Sequence, residues 1–188
     1  ESGPAAGVLA AAWCCKATGQ SNVISFDMGG TTAKTAMIEA GRVPYSSEYE
    51  VGPAISAGNR LVGGGGDLIL APSIDIVEVG AGGGSLAYLD TAGGIRVGPR
   101  SAGADPGPAC YGRGGVEPTV TDANLLLGYL NPEYFLGGEM ALDADASARG
   151  MTEHLTGPRG RDLTDVARTV HQVVNENMAA EVKMHVIE

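Results

Sequence analysis

Positive charge and aromatic residues are scarce in this sequence. Its 188 residues include 12 lysines and arginines against 22 acidic residues, which gives a formal net charge of −10 at pH 7. No cluster of basic residues stands out, so nucleic-acid binding through phosphate neutralisation is disfavoured. Aromatic residues make up only 5%, but the hydrophobic fraction of 44% is ordinary. A packed core is therefore expected rather than global disorder.

Cysteine and long apolar runs are also scarce. The three cysteines are Cys14, Cys15 and Cys110, and their number and spacing fit neither a disulfide framework nor a zinc site. Free thiols suit a reducing compartment, so we expect a cytoplasmic protein. No apolar run approaches the roughly 20 residues that a helix needs to cross a bilayer, and we expect no membrane association.

Neither end of the sequence resembles a natural terminus. The first residues read Glu-Ser-Gly-Pro, and the last helical pattern continues to the final residue without a glycine stop. We therefore expect an internal piece of a longer protein.

Glycine, by contrast, is abundant. The 30 glycines are roughly twice the average share, and they show no Gly-X-Y period that would indicate collagen. They occur in clusters flanked by apolar runs, a pattern typical of backbone-lined turns that approach a ligand closely. The clusters are Gly29-Gly30, residues 63–66, residues 82–84, Gly93-Gly94, Gly114-Gly115 and Gly137-Gly138.

The pattern of apolar residues predicts an α/β fold in which a hairpin-rich sheet precedes the helices. The expected strands are residues 22–26, 33–39, 74–79, 86–89 and 95–97. The expected helices are residues 3–17, 122–130, 144–155 and a long one from residue 163, capped by Ser2, Thr121, Asp143 and Asp162. Residues 42–66 and the Gly/Pro-rich residues 98–118 are expected to be loops.

Two of these elements carry expectations about burial. In the first helix, Val8, Leu9, Ala12 and Trp13 fall on one stripe that should face the core. The first strand, residues 22–26, reads as a short buried strand. Cys14 and Cys15, on the same first helix, are expected to pack as small hydrophobic residues.

The sharpest candidate site follows the first strand. There Asp27 precedes Gly29, Gly30, Thr31 and Thr32. Two glycines and two hydroxyls place backbone N–H groups in a concave turn that suits a phosphate. An aspartate beside such a turn can hold Mg²⁺ through water, since that ion keeps part of its hydration shell. The alternative is an ordinary glycine hairpin with a solvated aspartate.

Two other glycine-loop interpretations fail on the residues. A P-loop needs glycine before its lysine and a helix after it, whereas Ala33 precedes Lys34 and a strand is expected next. Residues 80–85 begin like a dinucleotide fingerprint, but that motif opens a helix and a hairpin is expected here. The loop at residues 82–84 remains either a ligand wall or a tight structural turn.

A third constellation lies in the Gly/Pro-rich loop. It offers Arg100 and Arg113 as anion partners and Asp105 as a base or ligand. Cys110 is a conceivable nucleophile, but no histidine lies near it in sequence, which favours a small buried residue. Asp122 is expected first as a stabilising charge at a helix N-terminus.

The three histidines show no ligand-like spacing. His154, His171 and His185 all lie on expected helical segments, far apart along the chain. They are interpreted as solvated or packing residues rather than as metal ligands.

The order of helix, strand, Asp-x-Gly-Gly-Thr and strand resembles one half of the actin-like ATPase superfamily. The resemblance rests on residues 2–6 and 27–32. It implies one lobe of an actin-like, ribonuclease H-like fold, with a glycine-hairpin sheet flanked by helices. The superfamily places a second aspartate where this sequence has Lys34, which cannot ligate magnesium but can contact a phosphate as a point charge.

Four longer motifs resemble the hydantoinase A / 5-oxoprolinase family: FDMGGTTAK, VGAGGGSLA, SAGADPGPACYGRGG and PTVTDANLLLGYL. The resemblance covers nearly the whole chain. It implies ATP- and Mg²⁺-dependent opening of a cyclic amide such as a hydantoin or 5-oxoproline, by phosphorylation of the amide oxygen. It also implies a hydantoinase B-type partner subunit or fused domain.

The resemblance assigns roles to particular residues. Gly29, Gly30, Thr31 and Thr32 would cradle phosphate, Asp27 would act through Mg²⁺, and Lys34 would add positive charge. Gly82, Gly83 and Gly84 would form a second ligand-lining loop. Asp105 is retained as a candidate catalytic group.

The expected organisation is one hydantoinase A-type domain over residues 1–188. Its parts would be a connecting helix (1–19), a hairpin-rich sheet (22–97), a Gly/Pro loop (98–118) and a helical part (119–188). Two alternative functions stay open: a subunit of an ATP-dependent ketone carboxylase, and a non-catalytic actin-like scaffold. Because only one Asp-x-Gly-Gly-Thr motif is present, we expect this piece alone to bind ATP weakly or not at all and not to catalyse.

Overall fold

The computed structural model describes residues 2–47, 49–51, 67–156 and 160–187. The glycine run at residues 63–66 lies outside the described residues. The described elements form a mixed α/β structure with small antiparallel sheets. The chain divides into two compact units, one of residues 1–28, 32–80 and 181–188, the other of residues 29–31 and 81–180.

The first unit is built around a three-stranded antiparallel sheet in the order β1-β2-β7. Its strands are β1 (Val23–Met28), β2 (Ala33–Ile38) and β7 (Val77–Val79). Two short strand pairs accompany the sheet: β3 (Tyr45–Ser46) with β6 (Ser73–Ile74), and β4 (Tyr49–Val51) with β5 (Asp67–Ile69). Residues 42–66 were expected to be a loop, so β3 and β4 correct that prediction.

Helix α1 (Ser2–Thr18) packs on this sheet. Val8 and Cys15, seven residues apart and thus on one face, are buried with Ala36 and Ile38 of β2. The predicted stripe was wrong for Leu9 and Trp13, which are 51% and 71% exposed. Cys14 is exposed as well, so only Cys15 packs as expected.

Strand β1 is not the buried strand that its apolar residues indicated. It is the edge strand of the sheet, and Ile24, Phe26 and Met28, which share one face, are 46%, 46% and 37% exposed. An edge strand has a neighbour in the sheet on one side only, and the side chains of this face stay partly exposed. The prediction failed because apolar content alone does not specify how much of a strand's face other elements cover.

The second unit contains a hairpin, two helices and most of a third. Strands β8 (Ser85–Leu89) and β9 (Ile95–Ser101) pair antiparallel, and β9 extends four residues beyond the predicted end at residue 97. Helices α2 (Val120–Leu126) and α3 (Ala144–Leu155) pack against each other. In helix α4 (Leu163–Ile187), Val166, Val170, Val174 and Met178 are buried and recur at helical spacing.

Two of the predicted helix caps are confirmed and one is wrong. The Asp143 carboxylate accepts from the Ala146 N–H at 2.9 Å, and the Asp162 carboxylate accepts from the Thr164 N–H at 2.9 Å. Helix α2, however, is capped by Thr119 rather than Thr121, and it ends at Leu126. Thr119 and Asp122 form a capping box, which satisfies two backbone donors reciprocally.

Candidate functional site

The candidate phosphate loop connects the two strands of the β1–β2 hairpin. Asp27 lies within β1, directly opposite Lys34 of β2, so the aspartate was wrongly expected to follow the strand. Gly29, Gly30 and Thr31 are exposed, and Thr32 is half-buried. The loop therefore presents its backbone at the surface.

The backbone groups of the loop divide into two sets. The Gly29 carbonyl accepts from the Gly83 N–H at 3.0 Å, and the Gly30 carbonyl accepts from the Gly84 N–H at 2.5 Å. The N–H groups of residues 29–32 donate no hydrogen bond to any part of the chain that the structure describes. A Cβ on Gly30 would meet no heavy atom within 4 Å. Free backbone N–H groups on an exposed loop suit an anion site.

The Gly82–Gly84 segment is glycine-rich because backbone packs on backbone. A Cβ on Gly82 would lie 2.7 Å from the Thr31 carbonyl carbon and 2.8 Å from the Gly29 oxygen. A Cβ on Gly84 would lie 2.9 Å from the Gly30 oxygen. Such separations leave no room for a side chain. The structure thus brings the two predicted glycine loops together and gives the second one a structural role.

Three hydroxyl residues support the second loop, and the sequence singled out only Thr121 among them, as a helix cap. The Thr121 hydroxyl donates to the Gly83 carbonyl at 2.8 Å, and the Ser85 hydroxyl accepts from the Gly82 N–H at 2.9 Å. The Ser101 hydroxyl would lie 2.9 Å from a Cβ on Gly84 and accepts from the Gly103 N–H at 3.1 Å. Their small size beside glycine runs is the one sequence signal that could have marked them.

Lys34 is held by a hydroxyl and a carboxylate. Its ammonium donates to the Thr32 hydroxyl at 2.7 Å and forms an ion pair with Glu78 of β7 at 3.3 Å. The Lys34 and Glu78 side chains are 16% and 26% exposed. Glu78 was missed in the sequence, where it is an acidic residue within an apolar strand just before the glycine loop.

The Asp27 carboxylate fits a hydrated magnesium ion. It is exposed and has no hydrogen bond or ion pair within the described residues. Across those same residues, no group of three His, Cys, Asp or Glu side chains could hold a metal. Mg²⁺ keeps several waters and binds through one or two carboxylates plus substrate phosphates, so a single free carboxylate suits it better than an ion that needs a full protein cage.

Only the start of the Gly/Pro-rich loop, the third constellation, lies beside the glycine loops. The Ala102 N–H donates to the Gly84 carbonyl at 2.8 Å, so the loop after β9 begins beside the second glycine loop. Asp105 is exposed, and its carboxylate contacts no polar group among the residues described. Arg100 is exposed and pairs loosely with Glu117 at 3.8 Å. Asp105 therefore stays a prediction.

Asp122 is a fully buried carboxylate with a structural role. It accepts from the N–H groups of Ala109, Cys110 and Thr119 at 3.2, 2.8 and 2.9 Å. It also accepts from the hydroxyls of Thr119 and Ser147 at 2.8 and 2.7 Å. These donors come from three segments of the second unit, so Asp122 ties them together.

Cys110 behaves as the small buried residue that was expected. Its side chain is fully buried in a cluster with Leu125 and Leu142. Burial and the neighbouring Asp122 carboxylate raise the pKa of the Cys110 thiol far above its usual range. A thiol that stays protonated is a poor nucleophile, so covalent catalysis by Cys110 is disfavoured.

His171 is a packing residue, as its position on a helix indicated. Its ring nitrogens lie 2.9 Å from the side-chain amides of Asn124 and Asn175, and its ring lies 5.0 Å from that of Tyr129.

No helix in the described part of the chain is long and apolar enough to cross a membrane.

The mixed α/β fold with a glycine hairpin between β1 and β2 is that of one lobe of an actin-like ATPase. The chain belongs to the hydantoinase/oxoprolinase family, whose family model matches residues 1–188. This confirms the family resemblance drawn from the four motifs.

Two relatives show the range of this similarity. The caprolactamase alpha subunit of Pseudomonas jessenii is 38% identical over all of this chain and 25% of its own. The acetophenone carboxylase gamma subunit of Aromatoleum aromaticum is 36% identical over 98% of this chain and 24% of its own.

Two solved structures show the same similarity in three dimensions. The ATP-dependent caprolactamase from Pseudomonas jessenii superposes with a TM-score of 0.77 over 98% of this chain and 25% of that chain. A nucleotide-free acetone carboxylase superposes with a TM-score of 0.75 at 29% identity, over 93% of this chain and 23% of that chain. The chain thus spans about a quarter of the length of these relatives.

Proposed function

We propose that this chain carries a phosphate-binding part of an ATP-dependent enzyme that opens a cyclic amide. The observation that carries the proposal is the row of free N–H groups at residues 29–32, presented on a loop whose Gly29 and Gly30 carbonyls are already bonded. The similarity to caprolactamase supports an amide as substrate, because a caprolactam is itself a cyclic amide.

In this proposal each loop residue has a separate task. The N–H groups of Gly29, Gly30 and Thr31 and the Thr32 hydroxyl bind phosphate oxygens, and Asp27 holds Mg²⁺ through water. The metal supplies charge neutralisation of the phosphates. Lys34 adds positive charge through Thr32, and the Gly82–Gly84 segment keeps the loop in shape. Positioning and charge stabilisation of this kind account for most catalysis of phosphoryl transfer.

The chemistry follows from the stability of amides. Resonance makes the amide carbonyl a poor electrophile, and transfer of the terminal phosphoryl group of ATP to the amide oxygen removes that resonance. Water then adds to the carbon, the ring C–N bond breaks, and a second water releases the phosphate. Each ring opened consumes one ATP and two waters and yields ADP, phosphate and an open-chain amino acid.

Ketone carboxylation is the second candidate. It is favoured by the likeness to the acetophenone carboxylase gamma subunit and to acetone carboxylase, at 36% and 29% identity. The same phosphate loop would serve there, since phosphorylation of a weakly reactive oxygen is common to both reactions.

A partner subunit is supported by two of the relatives, because one is named as a subunit of a carboxylase and the other as a subunit of a caprolactamase. For this protein we propose a hydantoinase B-type partner.

Alanine substitutions at Gly30 and Gly82 separate ligand binding from folding. Gly30→Ala places its methyl group in open space, so stability should change by less than about 0.5 kcal/mol. A bound phosphate would meet that methyl group, and the ATPase activity of the complete protein should fall at least about tenfold. Gly82→Ala would instead collide with the loop backbone and lower both stability and activity.

Thermal unfolding and phosphate release are the two measurements. Gly30→Ala with normal unfolding and reduced activity is the expected result. Unchanged activity in Gly30→Ala, with unfolding also unchanged, would show that this loop does not bind phosphate.

A further inference from the structure

Three charged side chains form one row across the sheet of the first unit. Asp27 of β1 is paired in register with Lys34 of β2, and Lys34 is paired with Glu78 of β7. Residues directly opposite one another in antiparallel strands share a face of the sheet. The row therefore reads acidic, basic, acidic, with the lysine between two carboxylates.

The lysine pairs with one of these carboxylates only. Its ammonium lies 3.3 Å from Glu78 Oε1 and 2.7 Å from Thr32 Oγ1. The Asp27 carboxylate, although its residue is the direct cross-strand neighbour of Lys34, forms no ion pair within the described residues. Glu78 thus holds the cation on the far side of the row.

We propose that Glu78 is a positioning residue that holds the Lys34 ammonium on Thr32 and away from Asp27, which leaves the Asp27 carboxylate free for a divalent cation. This inference rests on the proposed phosphate and metal site. Glu78 itself touches neither the phosphate nor the metal. It acts through Lys34.

The chemistry of the contacts gives the arrangement two consequences. An ammonium that pairs with a carboxylate neutralises it, so Lys34 on Asp27 would compete directly with a cation for that carboxylate. The Thr32 hydroxyl, by accepting from Lys34, keeps its own O–H free to donate to a phosphate oxygen. A hydroxyl that accepts from a cation is also a stronger donor.

Glu78→Gln tests the inference because it removes the negative charge that pairs with Lys34 and keeps the shape of the side chain. The released ammonium should shift to Asp27, and Mn²⁺ affinity in the presence of ADP should fall about two- to fivefold, the range of a partly exposed ion pair. Binding is measured on the complete protein by electron paramagnetic resonance of free Mn²⁺. Half-saturating Mg²⁺ for the ATPase should rise by the same factor.

Two further variants complete the design. Lys34→Gln combined with Glu78→Gln removes the competing cation, so Mn²⁺ affinity should rise above that of Glu78→Gln alone. Glu39→Gln removes the same charge just beyond the end of β2, where the side chain is exposed and has no partner among the described residues. It should leave Mn²⁺ binding unchanged.

The outcomes distinguish the inference from the function beneath it. Unchanged Mn²⁺ binding in Glu78→Gln, with binding lost in Asp27→Asn, would overturn the role of Glu78 and leave the metal site in place. Unchanged binding in Asp27→Asn would overturn the metal site itself. If Glu78→Gln does not fold, Glu78→Asp, which withdraws the carboxylate by one methylene, should shift Mn²⁺ affinity in the same direction. No shift in that variant would equally overturn the inference.

Discussion

Replacing Asp122 with alanine is expected to destabilise the second unit by about 3–5 kcal/mol. The carboxylate is fully buried and accepts hydrogen bonds from three backbone N–H groups and two hydroxyls. The substitution leaves all of these donors without a partner, and each buried unsatisfied group costs about 1–3 kcal/mol before relaxation and water entry reduce the total. The capping box of α2 is lost at the same time.

Hydrogen–deuterium exchange in the complete protein measures this loss locally. The amides of Ala109, Cys110 and Thr119 should exchange at least about 100-fold faster in Asp122→Ala. Ser147→Ala is the matched control, because it removes one donor and leaves the carboxylate, and it should cost about 1 kcal/mol. Equal exchange in the two variants would show that Asp122 does not tie these segments together.

Replacing Asp27 with asparagine is expected to lower the ATPase activity of the complete protein by at least about 100-fold. Asparagine keeps the shape of the side chain but removes the charge that holds the hydrated cation. Asp27 is exposed and makes no ion pair within the described residues, so folding should be unaffected. Phosphate release at saturating Mg²⁺ and thermal unfolding are the measurements.

The control for Asp27→Asn is Glu39→Gln, which removes one negative charge from an exposed residue next to the same sheet. It should retain wild-type activity. Wild-type ATPase activity in Asp27→Asn would contradict the site and favour a non-catalytic scaffold role for this part of the protein, the alternative that the sequence left open.

Local signals predicted the parts of the fold that depend on neighbouring residues. The caps at Asp143 and Asp162 were predicted because an N-cap side chain bonds to a backbone group two or three residues ahead. The hairpin around residues 27–32 was predicted for a similar reason. Thr119 and Thr121 both fit a cap by residue type, and only the reciprocal contact of Thr119 with Asp122 decided between them.

Non-local packing explains what the sequence did not show. Gly82 packs against residues 29–31, about 50 positions earlier in the chain. The sequence alone does not show that neighbour, so the missing side chain was open to interpretation as room for a ligand. Glu78 finds Lys34 through the pairing of β2 with β7, which strand patterns alone do not specify. The exposure of one face of β1 likewise depends on what packs against that face, which strand patterns do not specify.

Phosphate release by the complete protein in the presence of different substrates tests the central claim most directly. Assays with caprolactam, 5-oxoproline and a hydantoin should show at least one cyclic amide that stimulates release, with one phosphate formed per ring opened. Acetone or acetophenone with bicarbonate should give no stimulation. Stimulation by a ketone and bicarbonate alone, or release that no cyclic amide changes, would contradict the account.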